Sequence, residues 1–273
     1  MQASSNPGRL PLAVIAAATL LLSCATARAD DPWPDIKRDV FANREIIEED
    51  GTITLEAPYR AEDAAVVPLT MRMPASIARD VKTLTLVIEK NPAPVAATFY
   101  FGEAAGAGER MLSTRVRIDM YSNVRAVIET TDGKLHMTTK YVKASGGCSA
   151  AAGKDLDETL ANMGKMQIRT FEPPTPPTSS PDMREAQVMI RHPNFTGMQM
   201  DQLTREFTPM KIVHEIEVKR GGELVFKVEG GISISENPNF RFTFSAAGDG
   251  PLEVTAKDTD GRAFTATSAD KAS

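Results

Sequence analysis

The stretch Lys143-Ala-Ser-Gly-Gly-Cys148-Ser-Ala-Ala-Ala-Gly153 sets one cysteine among small residues, with Gly146 and Gly147 directly before it. A thiol has the chemistry for covalent transfer, because its thiolate attacks electrophiles and forms disulfides or persulfides. The two glycines lack a Cβ, so they would let a cysteine arm bend and be presented to another protein's surface. An unperturbed cysteine has a pKa of about 8.5. No charged residue lies closer in sequence than Lys143 and Lys154, so nothing local activates the sulfur. That suits a carrier thiol, activated by its partners, better than a catalytic nucleophile.

The other cysteine, Cys24, falls in the N-terminal segment. Arg9 precedes an apolar run from Leu10 to Leu22, and Ala27-Arg28-Ala29 follows as the small-x-small pattern that a signal peptidase cuts. Residues 1–29 are therefore expected to be an export signal; the run is too short for a membrane span. Leu21-Leu22-Ser23-Cys24 also resembles a lipoprotein box, and anchoring at Cys24 stands as the alternative. Either route leaves Cys148 as a single thiol in an oxidising compartment, where it cannot form an internal disulfide.

The remaining chemistry is sparse. A cysteine–histidine hydrolase needs a base, and the three histidines are His136, His192 and His214. His136 is in register with Lys134, Thr138 and Lys140 on the polar side of a strand. His214 shares a face with Ile212, Ile216 and Val218, as a core or interface histidine would. His192 precedes a proline in a loop and is a candidate contact to the cysteine arm. No CxxC, HxxxH or carboxylate-rich loop occurs, so neither a metal nor a cofactor is expected. Met198-Gln-Met200 could bind Cu(I), though such methionines more often fill a core. Net charge is -5, with aromatics at 6% and no basic stripe, which argues against nucleic-acid binding.

The elements around the cysteine read as strands. Thr52–Leu55, Ala65–Met73, Val81–Glu89, Ala97–Phe101, Thr114–Ile118 and Val124–Ile128 are followed by Asp132-Gly133, a hairpin turn, and a return strand Lys134–Lys143. A short helix is predicted over Pro34–Phe41 and another over Asp155–Met163. Residues 172–182 hold five of the 18 prolines and read as a semi-rigid linker. Beyond it, Gln187–Ile190, Lys211–Lys219, Glu223–Glu229, Phe240–Phe244, Leu252–Ala256 and Ala263–Thr267 form a second strand set. The expected fold class is all-β: two antiparallel β-sandwich domains, residues 30–154 and 183–273, joined by a helix and Pro-rich linker over 155–182.

The first set resembles SoxY, the sulfur-carrying subunit of the periplasmic sulfur-oxidation system. The matching stretches are Asp50–Pro58, Ala65-Val-Val-Pro68, Glu89–Pro94, Ala97-Thr-Phe99, Asp132-Gly133 and Gly146-Gly147-Cys148. The second set is similar to SoxZ, the partner subunit, through His192-Pro193, Thr196-Gly197, Ser235–Pro238 and Asp258–Thr267. The resemblance implies immunoglobulin-like sandwiches, a periplasmic location and a non-enzymatic carrier, with sulfur intermediates of thiosulfate or persulfide type held on Cys148. It further implies partners among sulfur-oxidation enzymes, or a quinoprotein dehydrogenase with its c-type cytochrome. An exported binding or assembly module, with the cysteine dispensable, is the alternative. One departure matters: SoxY ends in Gly-Gly-Cys-Gly-Gly at a free terminus, whereas here Ser149 and Ala150 follow and the chain continues. The arm becomes a loop reaching about 17 Å from Lys143, suited to wider or shallower clefts.

Overall fold

The computed structural model describes residues 2–3 and 31–268, apart from 49, 152–155, 172–181 and 202–203. The expected export signal and most of the proline run thus lie outside the described residues. Residues Pro32–Ser273 form one compact unit.

The chain enters through α1 (Trp33–Phe41), then β1 (Ile46–Glu48), β2 (Thr54–Glu56), β3 (Val67–Met73), α2 (Ala75–Ala78) and β4 (Val81–Ile88). It continues with β5 (Val95–Phe101), β6 (Arg110–Val116), β7 (Ser122–Thr130), β8 (Leu135–Val142) and α3 (Leu156–Ala161). The second half supplies β9 (Met166–Phe171), β10 (Met183–Ile190), β11 (Val213–Arg220), β12 (Glu223–Gly230), β13 (Asn239–Ser245), β14 (Leu252–Asp258) and β15 (Ala263–Thr267). Among the described residues every pairing between these strands is antiparallel except β1 on β8.

Two sheets face each other, and both run through the two sequence halves. One is nine-stranded, β1-β8-β7-β4-β5-β12-β11-β14-β15, and the other six-stranded, β2-β3-β6-β13-β10-β9. The halves meet edge to edge: β5 pairs with β12 (Phe99 opposite Val228) and β6 with β13 (Leu112 opposite Phe242). Strand edges with unpaired N–H and C=O groups are covered in this way. A buried aromatic cluster crosses the seam, with Phe99 from the first half 6.0 Å from both Phe226 and Phe240 of the second. The stretch read as a helix and linker also contains a strand, β9, which pairs along β10 from Phe171 to Met166.

Period-two alternation sets the faces. In β14, Leu252, Val254, Ala256 and Asp258 are buried while Glu253, Thr255 and Lys257 are exposed. By contrast β4 is buried continuously from Leu84 to Ile88, because α1 lies across its outer face. Ile36 and Phe41 of the helix pack on Val87, Val127, Leu135 and Met137, with Trp33 at the margin. A register shift in β11 between Val213 and Glu215 overturns one expectation. It turns His214 away from the buried Val213 and Ile216, so this histidine is exposed rather than in the core. No helix among the described residues is long and apolar enough to cross a membrane.

Candidate functional site

The cysteine arm begins where β8 ends. Lys143 N donates to Tyr59 O (2.8 Å) and Ala61 N to Lys143 O (3.1 Å), so the arm first pairs with the segment before β3. It then turns under the end of β6: Gly146 N donates to Asp119 O (2.8 Å) and Gly147 N to Ile118 O (3.0 Å). The Asp119 side chain accepts the Cys148 N–H at 3.3 Å. The segment 117–119 is itself held by Asn91, whose Nδ2 donates to Arg117 O (2.7 Å) and whose Oδ1 accepts Asp119 N (2.8 Å).

Both halves hold the arm. Arg117, from the first, donates through Nη1 to Gly147 O (3.2 Å). Thr196, from the second, has its hydroxyl 2.7 Å from Cys148 O and 2.8 Å from Gln199 Oε1. One hydroxyl proton serves one acceptor at a time, and Gln199 Oε1 keeps the Thr196 N–H at 2.9 Å in either case. Nearby, the Ser235 hydroxyl donates to Ala65 O (2.7 Å) and Arg117 N to Ser233 O (2.7 Å), which ties loop 231–238 to the same region.

The two glycines have different jobs in this docked arrangement. Gly146 has φ +78° with open space around its missing Cβ, so it makes the turn. At Gly147 a Cβ would come within 2.1 Å of Ala64 O and 2.7 Å of Ile118 O, so it permits close approach. Gly147→Ala is therefore expected to force the arm off its seat, with about 1–3 kcal/mol of overpacking. The check is alkylation of Cys148 in the folded protein, which should speed up by about tenfold or more. An unchanged rate would mean the contact yields without releasing the arm.

Cys148 is fully buried, at 0% exposure, and is a free thiol. Burial, then the neighbouring Asp119 carboxylate, push its pKa up to about 11, against the opposing pull of the Arg117 charge. The docked sulfur is thus a neutral thiol and a poor nucleophile, where the sequence leads one to expect an accessible one. Arg117 is 1% exposed, and burial lowers its pKa despite the charges of Glu236, Cys148 and Asp63. Its Nε, like Gln199 Nε2, is buried without a hydrogen-bond partner.

His192 is fully buried in the loop that carries Thr196. Its contacts are internal to the second half: Nδ1 lies 2.9 Å from Asn194 Oδ1, and Nε2 stands 3.6 Å from Asp258 Oδ2. The loop reaches the arm through Thr196, four residues later. Burial depresses the pKa of His192, although Asn194 and Asp258 act the other way. A histidine lowered on folding leaves the unfolded chain binding more protons, so stability is complete above about pH 6.5 and falls as the pH drops below it. Urea titrations across that window should show the loss, and His192→Gln should flatten it. A slope that the variant leaves intact assigns the effect elsewhere.

Sequence reasoning did not find Arg117, Asp119, Asn91 or Gln199. Asn91-Pro92 and Thr196-Gly197 carried a signal, since both fall in stretches quoted for the resemblance. Arg117 carried none, because alternation along Thr114–Ile118 puts it on a polar face that is covered by the arm and by loop 231–238, both distant in sequence.

Residues 37–148 match the family described as sulfur oxidation protein SoxY, and the match ends on Cys148. Residues 174–269 match sulphur oxidation protein SoxZ. A solved structure of the sulfur carrier protein SoxY from Chlorobium limicola f thiosulfatophilum is 24% identical, over 41% of this chain and 91% of that one, with a TM-score of 0.34. No curated protein matches the chain. The two family matches together span most of the polypeptide, and the chain is therefore a fused SoxYZ-like protein with a SoxY domain and a SoxZ domain in tandem.

Proposed function

We propose that this protein is a periplasmic carrier that holds sulfur intermediates covalently on Cys148 and presents them to partner redox enzymes. The observation that carries the reading is the position of Cys148. It stands at the end of the SoxY match, on an arm clasped by residues of both halves. Joining a thiol to thiosulfate makes an S–S bond and releases one proton and two electrons. The electrons need an acceptor outside the carrier, which fits a c-type cytochrome among its partners. Because the docked thiol is buried and neutral, loading requires the arm to leave its seat.

Large apolar side chains are exposed around that seat. Tyr59 and Tyr141 are in ring contact at 6.3 Å, and Lys143 Nζ lies 4.7 Å over the Tyr59 ring. Met120 and Tyr121 follow Asp119, and Met210 adjoins Gly197 one residue past Thr196. All five are between 44% and 63% exposed. Tyrosine and methionine are enriched at protein interfaces, so this rim supports docking of a partner enzyme over the arm.

Intact-mass analysis of protein purified without reductant from its native periplasm tests the reading. Sulfur-containing adducts confined to Cys148 are expected, and an unmodified thiol under all growth conditions would overturn it. The deep burial of the sulfur favours a second reading, in which the protein is an assembly module for a quinoprotein dehydrogenase. A Cys148→Ser chain that sustains the pathway fully would select that one.

A further inference from the structure

At the strand ends remote from Cys148 a cavity of about 650 Å³ opens across the seam. The first half supplies Val81, Phe101, Gly106 and Arg110, which lie at the start of β4, the end of β5 and the approach to β6. Met183 and Ser245, at the start of β10 and the end of β13, come from the second half. The arm is held at the opposite ends of these same strands.

Arg110 is the charge set deepest in this cavity. It is 3% exposed, with its guanidinium 4.2 Å over the Phe101 ring. Nη1 donates to Val81 O and Nη2 to Gly106 O, each at 3.2 Å, while Nε is buried with no partner. Gly106 lets its carbonyl reach this point. It has φ +81°, and a Cβ there would stand 2.8 Å from Met183 Sδ. Among the described residues no carboxylate is ion-paired with Arg110: Glu109, its neighbour, pairs with Arg72. Burial lowers its pKa to about 10, yet at neutral pH it is still a cation, and its hydrogen bonds go to neutral carbonyls.

A buried charge without a counter-ion is costly, and an anion from solution removes the cost. Arg79 and Lys82 add two exposed cations at the mouth, against the carboxylates of Glu103 and Asp182. The volume is that of a small-molecule pocket rather than an inorganic-ion nest. Val81, Phe101 and Met183 give it an apolar side. We propose that this cavity is a second binding site, separate from the cysteine arm, for a small organic anion whose carboxylate or sulfonate group sits on Arg110 and whose short apolar body bridges the two halves.

The test uses the full chain carrying Cys148→Ser, so that arm chemistry does not enter. Butyrate and 1-butanesulfonate serve as probes in titration calorimetry and thermal unfolding, against butylamine and potassium chloride at equal ionic strength. The expected result is binding of one or both anions with Kd below about 1 mM, and a raised unfolding temperature. Arg110→Lys, which keeps the charge but loses the fork, should weaken binding by about tenfold. Ala107→Trp, at the cavity lining, should block binding while the protein stays folded. No anion-specific shift over chloride, an equal response to butylamine, or binding undiminished in Ala107→Trp would each overturn the proposal. The Ala107 variant still separates binding in this cavity from binding elsewhere if Arg110→Lys fails to fold.

Discussion

In its native state the chain is expected to react at Cys148 with a small thiol reagent on the order of a hundredfold more slowly at neutral pH than the same chain unfolded in urea. Two causes act together. The sulfur is fully buried, and its pKa is pushed up to about 11, so the thiolate fraction falls far below that of an ordinary cysteine near 8.5. With docking in fast equilibrium, the native rate keeps rising with pH beyond the point where a free thiol levels off, because the raised pKa of the docked state governs the profile. A rate independent of both pH and reagent concentration would mark release of the arm as the slow step. Thr196→Val removes the hydroxyl on Cys148 O and should raise the native rate several-fold, leaving the rate in urea unchanged. A native thiol as fast as the unfolded one would sink the docked arrangement, and with it the view that loading is gated.

The second large effect is on stability. Phe99→Ala should cost about 3–5 kcal/mol and still unfold in one transition. Phe99 is fully buried on a strand between β4 and β12, in edge-on contact with Phe226 and Phe240 of the other half. A cavity there weakens packing on both sides of the seam. Trp33, the single tryptophan, packs on the outer face of the first-half sheet and reports on that half alone. Far-ultraviolet circular dichroism reports on all strands. The two signals should give the same midpoint in urea, displaced together in the variant. Separate midpoints would mean that the halves are independent cores that merely touch.

Local pattern carried much of the fold into view. Alternation in Val124, Ala126 and Ile128 located β7, and Asp132-Gly133 located its hairpin with β8, which pairs from Ser122 opposite Val142 to Glu129 opposite Leu135. The all-β class followed, while the SoxY and SoxZ resemblance rested on short stretches such as Gly146-Gly147-Cys148 and Ser235–Pro238. What escaped was set by contacts distant in sequence. Ile46–Glu48 is a short strand without alternation, recruited because it lies along β8. Met166–Phe171 fell within the predicted connector and is a strand because β10 offers an edge. No local signal gives a one-residue register shift, so His214 was placed on the wrong face. The candidate site divided in the same way. Cys148 was legible by composition alone, as the one thiol beyond the expected export signal. Its burial was not, because the groups that seat it come from residues 91, 117–119 and 196, and none has a signature in the residues around the cysteine.

Consider finally the two strand pairings that join the halves. Had these been separate polypeptides, the seam would follow mass action, and dilution would strip the Thr196 side of the clasp from the arm. Within one polypeptide the pairing is an intramolecular event, governed by an effective concentration that dilution does not alter. The arm's seat should then be as well formed at nanomolar protein as at millimolar. A carrier of the proposed kind then keeps its thiol guarded on its own, at any dilution.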